Sequence, residues 1–107
     1  MKATILLILL AFSTTSFASE KYEYCEYLGV SIGADENFMT QIIFRIMEKE
    51  NVDSQSEICL RLRRDGKRFS EEFSTGELFD KNSVDRWLKY QNFRDSIYDS
   101  IVENINY

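Results

Sequence analysis

Two cysteines, Cys25 and Cys59, are the feature that most limits how this chain can fold. They are 34 positions apart, show no Cys-x-x-Cys spacing and have no histidine beside them in the sequence to complete a zinc site. In an oxidising compartment two cysteines make one disulfide, which is the pairing that we predict. A pair of redox or metal-binding thiols is the alternative. Closing a loop of this length stabilises a small domain by about 3.5 to 4 kcal/mol in the chain-entropy model.

The N-terminus predicts the compartment. Lys2 supplies a positive charge, residues 3–12 form an apolar run, and a short polar segment follows with Ser16 and Ala18 at the −3 and −1 positions. This pattern is typical of a cleaved secretory signal peptide, residues 1–18. The apolar run is shorter than the roughly 20 residues that cross a bilayer. We therefore expect a periplasmic or secreted protein that does not span a membrane.

The remaining residues, 19–107, suffice for one small domain and leave no room for two. Without Lys2, 12 Lys and Arg face 18 Asp and Glu, and the net charge is near −6. Such an acidic chain is not expected to bind nucleic acid. The absence of proline favours long unbroken elements, and the absence of histidine removes the commonest general base and metal ligand.

Apolar spacing predicts two helices in the first half of the chain. Tyr22, Cys25, Leu28 and Ile32 recur every three or four residues over 20–32, with Glu23 and Glu26 directed away from that face. A break is expected at 33–35. Asp35 then provides an N-cap for a second helix that ends near 48–51. Its apolar stripe consists of Phe38, Met39, Ile42, Ile43, Ile46 and Met47.

The stretch 58–73 admits two interpretations. Ile58, Leu60 and Leu62 alternate with polar residues as in a strand, and the following Asp-Gly pair is a hairpin signal. A capping box at 54–57 and arginines just before Gly66 instead indicate a helix that stops at this glycine. We favour the helix, followed by a short helix that Ser70 caps.

A last helix is predicted from Ser83, as its cap, to the C-terminus, with Trp87 as the main anchor. The sequence therefore predicts an all-α, single small domain of four to five helices with one disulfide. Residues on or near the apolar face of the last helix are Val84, Trp87, Leu88, Gln91, Arg94, Ile97, Tyr98, Ile101, Val102 and Ile105.

The sequence contains no recognisable combination of catalytic residues. There is no nucleophile with a base, no phosphate-binding glycine loop and no calcium loop. Glu71 and Glu72 are adjacent, but neighbours on a helix point about 100° apart and do not converge on one bond. We expect no catalytic residues, no metal and no cofactor, and a protein that is not an enzyme.

A basic cluster is the strongest charge feature. Within eight residues it carries a net charge of +4 in an otherwise acidic chain. It either contacts an anionic partner, such as lipid head groups, a cell-wall polymer or an acidic protein surface, or is neutralised by the protein's own carboxylates. Its cations are Arg61, Arg63, Arg64, Lys67 and Arg68.

Two segments resemble known exported proteins. Residues 59–73 and 90–98 read Cys-Leu-Arg-Leu-Arg-Arg-Asp-Gly-Lys-Arg-Phe-Ser-Glu-Glu-Phe and Tyr-Gln-Asn-Phe-Arg-Asp-Ser-Ile-Tyr. They resemble a group of short exported proteins of Gram-negative bacteria that have a signal peptide and a helix ending in an Arg-rich turn. The late cysteine of that group is replaced by Ser100 or is missing. The resemblance implies a helical fold and an exported protein, and it implies no site residues.

A second resemblance concerns function. Cys25-Glu-Tyr, Thr40-Gln-Ile and Ile46-Met47 are similar to the Spackle type of small periplasmic phage protein, which blocks the phage's own tail lysozyme, although the cysteine spacing differs. Periplasmic immunity proteins share this size, compartment and helical build. The expected function is a non-catalytic inhibitor or immunity-type protein that binds another protein. The alternative is a peripheral envelope protein that binds anionic lipid or cell-wall polymer through residues 61–68.

Overall fold

A computed structural model of the chain describes residues 21–105, and this part consists of four α-helices with no β-strand. The predicted all-α fold with one disulfide is confirmed. The predicted signal peptide, 1–18, and residues 19, 20, 106 and 107 lie outside the described residues. The helices are α1 (21–33), α2 (Asn37–Lys49), α3 (Glu57–Ser74) and α4 (Lys81–Ile105).

Helices α1 and α3 approach until their backbones touch. A Cβ atom added to Gly66 would lie 2.3 Å from the carbonyl oxygen of Glu26, and one added to Gly29 would lie 2.0 Å from that of Arg63. Real Cβ atoms do not come closer than 3.0 Å, so the backbones meet here only because both positions lack a side chain.

The disulfide joins the same two helices. Cys25 in α1 and Cys59 in the first turn of α3 are bonded, with their Cα atoms 5.2 Å apart and both side chains fully buried. Gly29 and Arg63, which meet at the backbone contact, lie four residues further along each helix. Because the contacts advance together along both helices, α1 and α3 run in the same direction.

A single hydrophobic core lies among the four helices. Helix α2 contributes Met39, Ile43 and Met47, as its apolar stripe predicts, while Phe38 at the start of this stripe is exposed. The fully buried side chains larger than cysteine are Leu28, Val30, Met39, Ile43, Met47 and Tyr90. Tyr90 is therefore the main anchor of α4, and the prediction that Trp87 has this role is wrong, since Trp87 is only partly buried.

Helix α3 corrects the prediction of a stop at Gly66. The helix continues through this residue, and the expected short helix after Ser70 is the second half of α3. The local signal was misleading because Gly66 serves the close approach of α1 rather than the end of a helix. Ser70 is fully buried inside the helix, and its hydroxyl makes no hydrogen bond within the described residues.

Two predicted N-caps are displaced by neighbouring residues. At the start of α3, Ser56 accepts a hydrogen bond from the backbone N–H of Cys59 at 3.3 Å, so the predicted box that starts at Ser54 is wrong. At the start of α4, the hydroxyl of Ser83 donates to the carboxylate of Asp80 at 2.6 Å. Asp80 precedes the helix and lies in the cap position, whereas Ser83 is in the first turn.

The predicted cap of α2 is also wrong. Asp35 has a φ of 57°, the left-handed conformation, whereas an N-cap residue usually has an extended backbone. Asp35 therefore belongs to the turn that ends α1. Glu36 is the cap residue, and its side chain makes no capping hydrogen bond, which leaves its carboxylate free to bind elsewhere.

Helix α4 lies across both α1 and α3. The guanidinium group of Arg86 binds Glu26 of α1 and Asp65 of α3, and it stacks over the ring of Phe69 at 4.3 Å. Lys89 binds Glu23 of α1 at 2.6 Å. Glu23 and Glu26, which were predicted to lie off the apolar face of the first helix, thus pair with cations of α4.

We predict that Gly66→Ala destabilises the protein, although the same change in an isolated helix stabilises it by about 1 kcal/mol. The added methyl group would force α1 and α3 apart, at a cost of about 1–3 kcal/mol. Urea unfolding measures the free-energy change. Arg64→Ala, at an exposed position of the same helix, is the control and should stay within about 0.5 kcal/mol. Unchanged or increased stability of Gly66→Ala would contradict the backbone contact.

Candidate functional site

Apolar side chains are exposed where the end of α4 meets the start of α2. Phe38 is 57% exposed, Val102 54% and Ile105 75%. Tyr98, at the border of exposure, contacts Phe38, and Ile101, which is partly buried, follows it one turn later on α4. We call these five residues the α4 apolar face. A patch of this kind on a soluble protein commonly marks a contact with another molecule.

The face exists because α4 is long. Its 25 residues extend over about 37 Å at 1.5 Å per residue. Tyr98, Ile101, Val102 and Ile105 follow the helical spacing of three and four that is typical of a core-facing stripe. In the structure this stripe becomes exposed near Tyr98, whose ring stacks on that of Phe38 with the ring centres 6.2 Å apart. The last turns of α4 therefore present apolar side chains to solvent.

Glu36 fixes α4 against the start of α2. One carboxylate oxygen accepts a hydrogen bond from the Tyr90 hydroxyl at 2.8 Å, and the other accepts one from the Arg94 guanidinium at 2.8 Å. Burial, together with the bond to Glu36, holds the pKa of Tyr90 well above its ordinary value of 10.0. Tyr90 and Arg94 come about two turns and one turn of α4 before Tyr98, so Glu36 positions the α4 apolar face.

The basic cluster is partly neutralised within α3 itself. Arg68 binds Glu72 at 3.1 Å, and Lys67 lies 3.8 Å from Glu71. Arg61 lies 3.8 Å from Glu57. These are pairs of residues four apart on an exposed helix surface, worth only about 0.3–0.5 kcal/mol each. Three of the five predicted contact residues thus have a carboxylate of their own helix nearby.

Arg63 and Arg64 differ from the other three cations. Within 21–105 neither forms a salt bridge, and the guanidinium of Arg63 lies over the ring of Phe44 at 5.7 Å. With Lys67 they line a pocket of about 450 Å³ that also includes the apolar side chains of Ile32 and Leu60. The structure therefore brings Arg63, Arg64 and Lys67 together.

Arg68 lies four residues after Arg64 on α3 but does not line the same pocket. It lines a separate pocket of about 320 Å³ between α3 and the start of α4, together with Arg86 and the carboxylates of Asp65 and Glu72. Both carboxylates are already bound by arginines. The five predicted cations therefore do not share one pocket, and Arg61 lines neither of these two.

Two further observations limit the chemistry of the described part. Among residues 21–105 no three Cys, His, Asp or Glu side chains are grouped so that they could hold a metal ion. Over the same range no helix has the length and apolar character needed to cross a bilayer.

Sequence reasoning missed the α4 apolar face as a surface. It placed Phe38, Tyr98, Ile101, Val102 and Ile105 on helix faces directed at the core, and nothing in a helical period shows where the neighbouring helices end. It also missed Glu36 and Tyr90. A glutamate just before a helix and a tyrosine on an apolar stripe are each unremarkable in the sequence.

Comparison of the chain with models of protein families, with curated proteins and with solved structures gave no match.

We predict that the protein loses stability above about pH 10, where tyrosine and lysine side chains of an unfolded chain lose their protons. Folding raises the pKa of Tyr90 through burial and the bond to Glu36, and that of Lys89 through its bond to Glu23. A raised pKa stabilises the fold below the unfolded value, and this contribution is lost as the pH rises. The free energy of unfolding, measured in urea between about pH 9 and about pH 12, should therefore fall.

The variant Tyr90→Phe isolates the contribution of Tyr90 to the loss of stability at high pH. Phenylalanine does not ionise, so this variant should show a flatter decline, with the parts due to Lys89 and to Tyr27, whose pKa is raised by burial, remaining. At neutral pH it should lose about 1–3 kcal/mol, because a hydrogen bond to a charged acceptor is removed. A decline as steep as that of the natural protein would show that Tyr90 does not contribute.

Proposed function

We propose that this protein is a non-catalytic, periplasmic or secreted binding protein that attaches to another protein and covers a site on it, as inhibitors and immunity proteins do. The observation that carries the proposal is the α4 apolar face. The face combines two aromatic rings with three aliphatic side chains on an ordered helical framework.

The arrangement of the face suits a protein contact. Its side chains project from regular helices, and Glu36 fixes the relative position of α2 and α4. A rigid surface loses little conformational entropy when it binds. Aromatic groups that become desolvated at the centre of an interface often supply much of the binding free energy, and burial of aliphatic side chains adds to it.

The disulfide supports a periplasmic or secreted location. The Cys25–Cys59 bond is fully buried in the α1–α3 contact, and structural disulfides form and persist in oxidising compartments. The signal peptide predicted at 1–18 points to the same location. An exported inhibitor requires both export and a fold that is stable outside the cytoplasm.

Capture of the partner tests the proposal. The tagged full chain, expressed for export, should enrich one protein at near-equal stoichiometry from envelope and periplasmic extracts. Val102→Ser combined with Ile105→Ser should weaken this complex at least about tenfold, because two buried apolar side chains contribute about 1.5–3 kcal/mol each. Affinity is measured by calorimetry with the purified partner, and circular dichroism checks the fold.

The control is Leu88→Ser. Leu88 is 47% exposed on an earlier part of the same helix, outside the α4 apolar face, so its change should leave affinity within about twofold, as for a residue outside the interface core. No specific partner, or equal weakening by the control, would count against the proposal.

A second candidate function is attachment to an anionic envelope surface. The specific observation in its favour is the pocket of Arg63, Arg64 and Lys67, where two arginines have no salt bridge within the described residues and Ile32 and Leu60 provide apolar contact. Anionic lipid or cell-wall polymer fits this combination of charges.

Vesicle flotation tests the second candidate. The protein should float with vesicles that contain anionic lipid at low salt and be released at high salt. Arg63→Glu with Arg64→Glu should abolish flotation. The charge-matched control, Arg61→Glu with Arg68→Glu, changes two cations outside the pocket and should retain most of it. If the two double variants behave alike, the pocket is not the binding site.

A further inference from the structure

We propose that the α4 apolar face binds a cationic surface, so that the partner is a protein that presents lysine and arginine side chains around an apolar centre. This inference rests on the proposed function and specifies the chemistry of the partner. It is carried by a row of carboxylates that runs along the face.

The row consists of Asp95, Asp99 and Glu103, four residues apart on α4, and all three are exposed. Residues three apart on a helix are neighbours on its surface. Asp95 is therefore next to Tyr98, and Asp99 is next to Val102. The carboxylates form an acidic edge beside the apolar side chains.

Within residues 21–105, cations of the protein neutralise little of the charge of this edge. No Lys or Arg follows Arg94 in the sequence. Within 21–105 neither Asp99 nor Glu103 forms a salt bridge, and Asp95 lies 3.8 Å from Arg94. The guanidinium of Arg94 is itself bound to Glu36 at 2.8 Å. Elsewhere on the surface, carboxylates such as Glu57, Glu71 and Glu72 lie beside a cation of their own helix.

The negative charge of the acidic edge favours some binding partners of the face over others. A second copy of the chain, packed on the same surface, would place two acidic edges side by side in a protein that already carries a net charge of −5. An anionic membrane would be repelled in the same way. A cationic protein surface is attracted, and the attraction raises the rate of its association at low salt.

A pair of synthetic amphipathic helices is the probe. One peptide carries leucines on one face with lysines beside them, and the other has glutamates in place of the lysines. Calorimetry at low salt should show binding of the Leu/Lys peptide to the full-length protein and none of the Leu/Glu peptide. Val102→Ser with Ile105→Ser should abolish this binding.

Removal of the acidic edge is the decisive variant. Asp95→Asn with Asp99→Asn and Glu103→Gln should weaken binding of the Leu/Lys peptide by about tenfold or more at low salt, and by much less at high salt. The control is Glu48→Gln with Glu50→Gln and Glu77→Gln, which changes the net charge equally at exposed positions elsewhere. It should weaken binding less than about threefold, as expected for distant, screened charges.

Several results would overturn the inference. These are equal weakening by the two triple variants, equal binding of both peptides, and no binding of the Leu/Lys peptide. Photo-crosslinking from position 102 that joins the face to a second copy, or to residues 1–18, would also overturn it. If the natural partner loses affinity with Val102→Ser and Ile105→Ser but not when the acidic edge is removed, the proposed function stands and this inference falls.

Discussion

The backbone contact between α1 and α3 is the constraint on which the rest of the molecule depends. Gly29 and Gly66 let two parallel helices touch, and the Cys25–Cys59 bond holds them together at the start of α3. Because this pair forms one unit, α4 can lie across both helices, and Arg86 can reach Glu26 and Asp65 at once. The position of α4, and with it the α4 apolar face, follows from a contact that no side chain makes.

The polar contacts of α4 differ along its length. Near its start, Arg86 and Lys89 tie the helix to α1 and α3. In the middle, Tyr90 and Arg94 bind Glu36. Beyond Arg94 the helix has no cation, and its apolar side chains become exposed. The first half of the helix therefore makes the contacts that hold the fold, while its last turns carry the exposed side chains of Val102 and Ile105.

The helical period in the sequence was sufficient to predict the fold class and most of the core of α2, and the presence of two cysteines in a chain expected to be exported predicted the disulfide. Local signals failed where two neighbouring residues suited the same role, as with Ser54 and Ser56 at the start of α3. Gly66 was misread because a glycine that ends a helix and one that admits a second backbone have similar sequence surroundings. The α4 apolar face could not be predicted from the sequence for a related reason. Whether Val102 is exposed depends on where the other helices end.

The disulfide closes a covalent loop that contains all of α2, so α1, α2 and α3 remain connected even when parts of the molecule open. No such link within the described residues ties α4 to the other helices. Local opening of the native state should therefore begin with α4, and amide protons in its last turns should exchange with solvent soonest. The helix that carries the proposed contact surface, although ordered in the native state, is thus the one expected to open first. A bound partner would slow this opening, so attachment and kinetic stability are linked through one helix.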